Sequence, residues 1–381
     1  MKLNKLVALT LTGIMAASLA ACGGGSKPAE TTAAPAAAPA ETKAEAAAPA
    51  AAPAATEAAA PAASGDYSAL DDVELILADT SSNGAALQQF NEALAANVDA
   101  ITGGKLTLDY HGNGDLGGDA DLIRQTQSGD IDIVGSQIAP LVSFVPEMAI
   151  FDLPMVFAKY DGAKIDSVLN GDGETHKAIV AAYEAAGLHP LGFLQNATYR
   201  LTTSNTELKD LASFKGLKIR TMENANHMAF WTAIGAEPTP LAWGEVYISL
   251  QNGTIDAEEN AADTVAGANF QEVQKYLAFT NHILYCNQLA INKDKWESLD
   301  PAYQAALEEA MAMTLADMSA KLKDIDADNK KALEEKGMTM IEYPDSFYDE
   351  VLALDGVKAL YEEIDDKVGG LGTTLQEELA K

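Results

Sequence analysis

Three arginines, Arg124, Arg200 and Arg220, stand among 25 basic residues in a chain of 381 that carries 56 acidic ones. A guanidinium presents paired, planar donors that match a carboxylate in bidentate fashion, which a lysine ammonium cannot reproduce. Each arginine of a lysine-using chain therefore asks for a geometric reason. Arg124 follows Asp121 by three positions in a polar helical stretch and reads as half of a solvated ion pair. Arg200 and Arg220 lie on or beside the apolar, strand-like runs "YRLTTS" and "KGLKIRTMEN". From the residues alone two roles stay open for them: capture of a carboxylate, or structural pairing with Glu223, Asp256, Glu258 or Glu259.

Other chemistry finds little support. The five histidines, at 111, 176, 189, 227 and 282, show no HExxH or His-plus-carboxylate spacing, so no metal site is expected. No GxSxG elbow is present, and Cys286 has no recognisable catalytic surround, so it is expected to be a buried thiol. "GNGDLG" (112 to 117) is a literal GxGxxG, but Asp115, Asp119 and Asp121 would repel a pyrophosphate. It reads as a glycine-rich turn between strand and helix. No enzyme activity and no cofactor are expected.

The elements that must position these residues alternate between strand and helix. "VELIL" (73 to 77), "KLTLDY" (105 to 110) and "DIDIVGS" (130 to 136) are separated by amphipathic stretches. After a looser middle, "LHPLGFLQ" (188 to 195), "YRLTTS" (199 to 204), "KIRT" (218 to 221) and "TIDAEEN" (254 to 260) resume the pattern, with "HMAFWTAIG" as a helix closed by Gly235. This is α/β organisation. From Asp300, an N-cap before Pro301, apolar residues Leu307, Met311, Leu315, Met318, Leu322, Ile325 and Leu333 recur mostly at spacings of three and four up to Gly337. A helix of that length would exceed about 50 Å and is expected to brace two lobes, with a break conceivable at "DIDADNK".

The N-terminal region reads as an address. Lys2 and Lys5 precede an apolar run that ends in "LAAC", which resembles a bacterial lipobox, with Cys22 as the lipidated residue after a signal peptide over 1–21. Residues 22–65 are an Ala/Pro-rich tether with nothing to bury. The folded part is expected over 66–381, with lobe I at about 66–197 and 286–325 and lobe II at about 198–285 and 326–381. The formal charge of -31 argues against binding to nucleic acid or to an anionic bilayer, so the membrane would be reached through the lipid alone.

The stretch "GAEPTPLAWGEVYISLQNGTIDAEEN" (235 to 260) resembles a signature of the DctP family, the solute-binding proteins of tripartite ATP-independent periplasmic (TRAP) transporters. "GNGDLGGD", "SGDID", "FDLPMVF", "RLTTSN", "FKGLKIR", "FQEVQKYLAFTNHI" and "LAINKDKW" extend the match, in order, over most of residues 70 to 345. The resemblance implies a two-lobed, periplasmic-binding-protein-like clamshell that takes a small organic carboxylate, such as a dicarboxylate, and hands it to a TRAP permease. Such a protein would work as a monomer outside the cytoplasm. Arg220 falls on the arginine that clamps the ligand carboxylate in the family, Arg200 on a second contact, and Asn260 on the asparagine of the "QEN" element. Trp243 would flank the ligand or pack at the hinge. Gln137 and, less firmly anchored by the match, Asp119 would contact the ligand from lobe I. Two departures stand out: "EEN" replaces "QEN", placing Glu258 where glutamine is commoner, and "TMEN" puts Glu223 after Arg220, either to accept ligand hydroxyls or as a solvated acid. The polar loop "DTSSN" (79 to 83) would close over the ligand without any one residue being assigned. A surface lipoprotein that presents a ligand to a sensor or adheres to another surface is the alternative reading.

Overall fold

The computed structural model describes residues 65–381; the expected signal peptide, Cys22 and nearly all of the expected tether lie outside the described residues. In chain order the strands are β1 (Val73–Ala78), β2 (Leu106–His111), β3 (Ile133–Gln137), β4 (Leu188–Leu194), β5 (Leu201–Ser204), β6 (Lys218–Thr221), β7 (Glu237–Pro240), β8 (Ala257–Asn260), β9 (Tyr276–Ala278), β10 (Asn287–Asn292) and β11 (Thr339–Ile341). They form two mixed sheets, ordered β2-β1-β3-β10-β4 and β11-β9-β5-β8-β6-β7. Helices cover both sheets, as the α/β reading requires, and each sheet is the centre of one lobe.

Strand direction decides where a site can form. In the first lobe β1 runs parallel to β2 and β3, so Asp79, the 112–118 turn and Gln137 emerge at one edge. In the second lobe β6 runs parallel to β7 and β8, and β5 is antiparallel to β8 with Leu201 opposite Asn260. Arg200, just ahead of β5, thus reaches the same edge as the ends of β6 and β8. Open α/β sheets bind ligands outside the carboxyl ends of parallel strands, and here both lobes offer such an edge. Strand β7 contains Pro238 and Pro240, and it stands at the end of its sheet, where a missing N–H costs no ladder bond.

The helix Pro301–Glu335 is unbroken through "DIDADNK". Asp300 accepts the Ala302 N–H at 2.9 Å, and Pro301 opens the first turn. Leu307, Met311, Met318 and Leu322 pack into the first lobe beside the helix Ala86–Thr102, whereas Leu333 is buried among Leu201, Val265 and Leu277 of the second. One helix therefore braces both lobes. The expected lobe II range of 326–381 includes the helix Leu371–Ala380, whose Leu371, Leu375 and Leu379 lie instead with Phe151, Ile179 and Tyr183 of the first lobe. Glu378 explains its place, since it accepts the N–H groups of Glu174 and Thr175 at the open end of the helix Glu174–Ala185. Among the described residues no helix is long and apolar enough to cross a membrane.

Candidate functional site

Arg220 is 2% exposed, in the third position of β6. Its Nε and Nη2 donate to the Leu241 carbonyl at 2.9 and 2.7 Å, which fixes the plane of the guanidinium. The segment that supplies this carbonyl also carries Trp243, whose ring centroid lies 5.8 Å from the Arg220 Cζ. Nη1 is buried without a partner among the described residues. Arg220 forms no ion pair within 4.0 Å among the described residues, and burial pulls its pKa below the usual arginine value despite the nearby Glu258 and Glu259. A buried cation with an orphaned donor is costly unless something occupies it.

Arg200 stands in contrast. It is equally buried, but Nε is bonded to Glu259 Oε2, Nη2 donates to Glu259 Oε1 at 2.9 Å and to the Glu259 carbonyl at 2.6 Å, and Nη1 donates to Gln137 Oε1. Glu259 also meets His282 Nε2 at 3.1 Å and His227 Nδ1 at 3.5 Å. Burial opposes ionisation of Glu259, but Arg200 and the two histidines prevail and hold its carboxyl well below the usual range. His227 continues the chain to Asp152 at 3.1 Å. Burial alone would lower its pKa, yet the hydrogen bond to Asp152 and the Glu259 carboxylate beside Nδ1 raise it to about 9. Asp152 also accepts from Asn224 and Asn226, at 2.8 and 2.9 Å, so this network reaches from the cleft to the segment joining the cores of the two lobes.

Gln137, at the end of β3, crosses the cleft: besides accepting from Arg200, its Nε2 donates to Asn260 Oδ1 at 3.3 Å. Asn260 in turn donates to Glu258 Oε2 at 3.0 Å. Asp119 is half-buried, accepts from Thr80 Oγ1 at 2.8 Å, and has its pKa raised by burial. Asp119, Arg220, Glu223 and Trp243 line one cavity of about 240 Å³, with Glu223 exposed at its mouth. A smaller, inner cavity of about 30 Å³ shares Asp119 and Trp243 and adds Gln137 and Asn260. Six of the seven residues expected at the ligand line these two cavities, and Arg200 reaches them only through its bond to Gln137. Arg124 pairs with Asp121 at 2.7 Å on the surface, and Cys286 is a free, buried thiol whose pKa burial pushes up.

The 79–83 loop expected over the ligand contributes Thr80 and Ser81 to the inner lining, whereas Ser136, Thr264, Tyr285 and Asn287 were missed by sequence reasoning. Asp79 organises the 79–83 loop by accepting from Ser81 N at 2.8 Å, from Asn91 Nδ2 at 2.5 Å and from Tyr110 at 2.8 Å. Asn287, the first residue of β10, carries a buried Oδ1 without a partner among the described residues. Lobe II therefore offers an unpaired donor at the cleft and lobe I an unpaired acceptor.

Residues 77–363 match the sequence profile of the bacterial extracellular solute-binding proteins, family 7, known as DctP. The chain belongs to this family. DctP proteins bind solutes and are not enzymes. A solute-binding protein of Verminephrobacter eiseniae is 31% identical over 291 residues, 76% of this chain and 84% of its own. The 2,3-diketo-L-gulonate-binding periplasmic protein YiaO of Escherichia coli is 34% identical over 228 residues, 60% of this chain and 67% of its own. Among solved structures, a TRAP periplasmic solute-binding protein of a Bradyrhizobium species, in complex with D-galacturonate, superposes with a TM-score of 0.73 at 28% identity, covering 80% of this chain and all of that one. The two sheets and their bracing helix are thus the fold of TRAP solute-binding proteins.

Proposed function

We propose that the cleft captures a sugar acid, a small monocarboxylate with several hydroxyls, and that the loaded protein delivers it to a TRAP permease. The carrying observation is the buried, unpartnered Nη1 of Arg220 beside a guanidinium already fixed by Leu241 and Trp243. A ligand carboxylate would complete that fork and supply the charge the site lacks. Hydroxyls suit the remainder, because Asp119, Glu223 and Asn287 Oδ1 accept hydrogen bonds and the two acids disfavour a second carboxylate at that end. Arg200 would act one step back, holding Gln137 and Asn260 in place for the ligand. The ligands named for the Escherichia coli and Bradyrhizobium relatives are sugar acids, in keeping with this reading.

Thermal-shift titration with D-galacturonate and 2,3-diketo-L-gulonate, against succinate and galactose, tests it. At about a hundred times Kd a ligand adds about 2.7 kcal/mol of stability, which raises Tm by several degrees. A sugar acid should produce that rise and galactose should not; a rise with galactose, or none with any carboxylate, would remove the reading. The lipid anchor at Cys22 belongs to the same proposal, and a Cys22→Ser chain that is still lipidated and membrane-held would exclude it.

A further inference from the structure

Glu258 has no role in the cleft as described, yet it lies next to the clamp. It is the register partner of Arg220 on the neighbouring parallel strand, so both side chains leave the sheet on one face. It is fully buried. Asn260 Nδ2 donates to one carboxyl oxygen at 3.0 Å and Thr203 Oγ1 to the other at 3.2 Å, both neutral donors. No arginine nitrogen approaches it within 4.0 Å. The charges around it are Arg220 from β6, Arg200 from the start of β5 and Glu259 on its own strand, while Asp119 acts on Arg220 from the other lobe. Much of this face is apolar, with Leu201, Leu250 and Leu277. Burial raises the Glu258 pKa to about 7, with Arg220 pulling in the opposite direction.

We propose that Glu258 is neutral whenever a carboxylate sits on Arg220, so that capture of the anion is accompanied by uptake of one proton from solvent. This rests on the Arg220 reading of the cleft. In the free protein the field of Arg220 favours ionised Glu258. A bound carboxylate cancels that field and places a second negative charge beside the same buried strand pair, leaving ionised Glu258 with only neutral donors. The proton adds to one Glu258 oxygen, no other bond changes, and Thr203 can accept the new O–H because a hydroxyl both donates and accepts. Glu258 thereby sets the pH range in which the protein holds its ligand.

The sign follows from linkage. Well below pH 7 Glu258 is already protonated in the free protein, so affinity is flat and no proton is taken up. Above about pH 7 the free protein must first be protonated, and Kd rises by up to about tenfold per pH unit. Glu258→Gln is nearly isosteric, accepts from Asn260, donates to Thr203 and cannot ionise.

Isothermal titration with D-galacturonate and 2,3-diketo-L-gulonate, between about pH 6 and about pH 8 in buffers of different ionisation heat, reads affinity and proton count together. The wild type should take up close to one proton near pH 8 and bind about tenfold more weakly than at pH 6. Glu258→Gln should take up none and bind with a pH-independent affinity. It should also melt higher than the wild type at pH 8 without ligand, since the strain of a buried charge is gone. A wild-type proton count near zero, or a pH slope that survives in Glu258→Gln and so belongs to another group such as Asp119, overturns the proposal while leaving the sugar-acid reading intact. Absence of binding by both proteins at every pH removes that reading and this proposal together. Should Glu258→Gln fail to fold, Asp119→Asn decides between the two groups: uptake of close to one proton that persists in it upholds Glu258, and uptake lost in it overturns the proposal.

Discussion

Arg200 and Arg220 serve one cleft from opposite faces of the same sheet. Arg220 shares its face with its register partner Glu258, and Arg200 is bonded to Glu259, the next residue along β8, whose side chain points the other way. Arg200 has a carboxylate within the protein; Arg220 has only a carbonyl and a free Nη1. The two arginines therefore answer differently to mutation.

Replacing Arg200 by Gln leaves Glu259 buried with only histidine partners and takes a bond from Gln137. Breaking a buried pair from one side costs about 3–5 kcal/mol. Urea unfolding of the ligand-free protein should show a loss of that size. A ligand-free stability close to the wild type would mean that the Glu259 pair does not hold the second lobe together.

His227 makes part of the stability pH-dependent. Its folded pKa of about 9 lies above the unfolded value near 6.5, so its contribution is complete below about pH 6.5 and is lost as pH rises towards 9. The loss should be up to about 3 kcal/mol across that window, and His227→Gln should flatten it. Ligand-free melting as a function of pH in both proteins checks this; equal slopes would assign the effect elsewhere.

Trp243 should report the ligand. Trp231 is fully buried against Phe230 and His282, and Trp296 stacks on His189 at 4.5 Å, away from the cleft. Fluorescence on adding a sugar acid should change in the wild type and not in Trp243→Phe. An unchanged signal in that variant would take Trp243 away from the ligand.

Much of this was legible in the sequence because each signal was local. "KIRT" and "VELIL" announce strands by composition, and Asp300-Pro301 announces the long helix by its cap. The paired prolines of β7 gave no such signal, since they are tolerated only because the strand is at an edge, a property of the sheet. The same holds for the inner lining: Ser136, Tyr285 and Asn287 come from segments far apart in the chain and meet only after β10 inserts antiparallel between β3 and β4. The different fates of Arg200 and Arg220 were equally hidden, since strand pairing, not spacing, assigns Glu259 to one and leaves the other open. Nor does anything in "LGTTLQEELA" state that Glu378 will cap a helix some two hundred residues earlier.

Asp119 should read hydroxyls. It accepts from Thr80 and borders both cavities, so Asp119→Asn should weaken a sugar acid by about 1.5–3 kcal/mol, the worth of a hydrogen bond to a charged group. A simple carboxylate such as acetate should lose much less. Equal losses for both would place Asp119 outside hydroxyl recognition.

The most direct test of the carboxylate clamp is Arg220→Lys, measured on one sample for ligand-free melting and for sugar-acid affinity. Lysine keeps the charge and loses the planar fork, and with it the two bonds to Leu241 that orient the free Nη1. The clamp predicts affinity lower by about thirtyfold, about 2 kcal/mol, with ligand-free Tm changed far less than in Arg200→Gln. Unchanged affinity, with or without a fall in Tm, would contradict it.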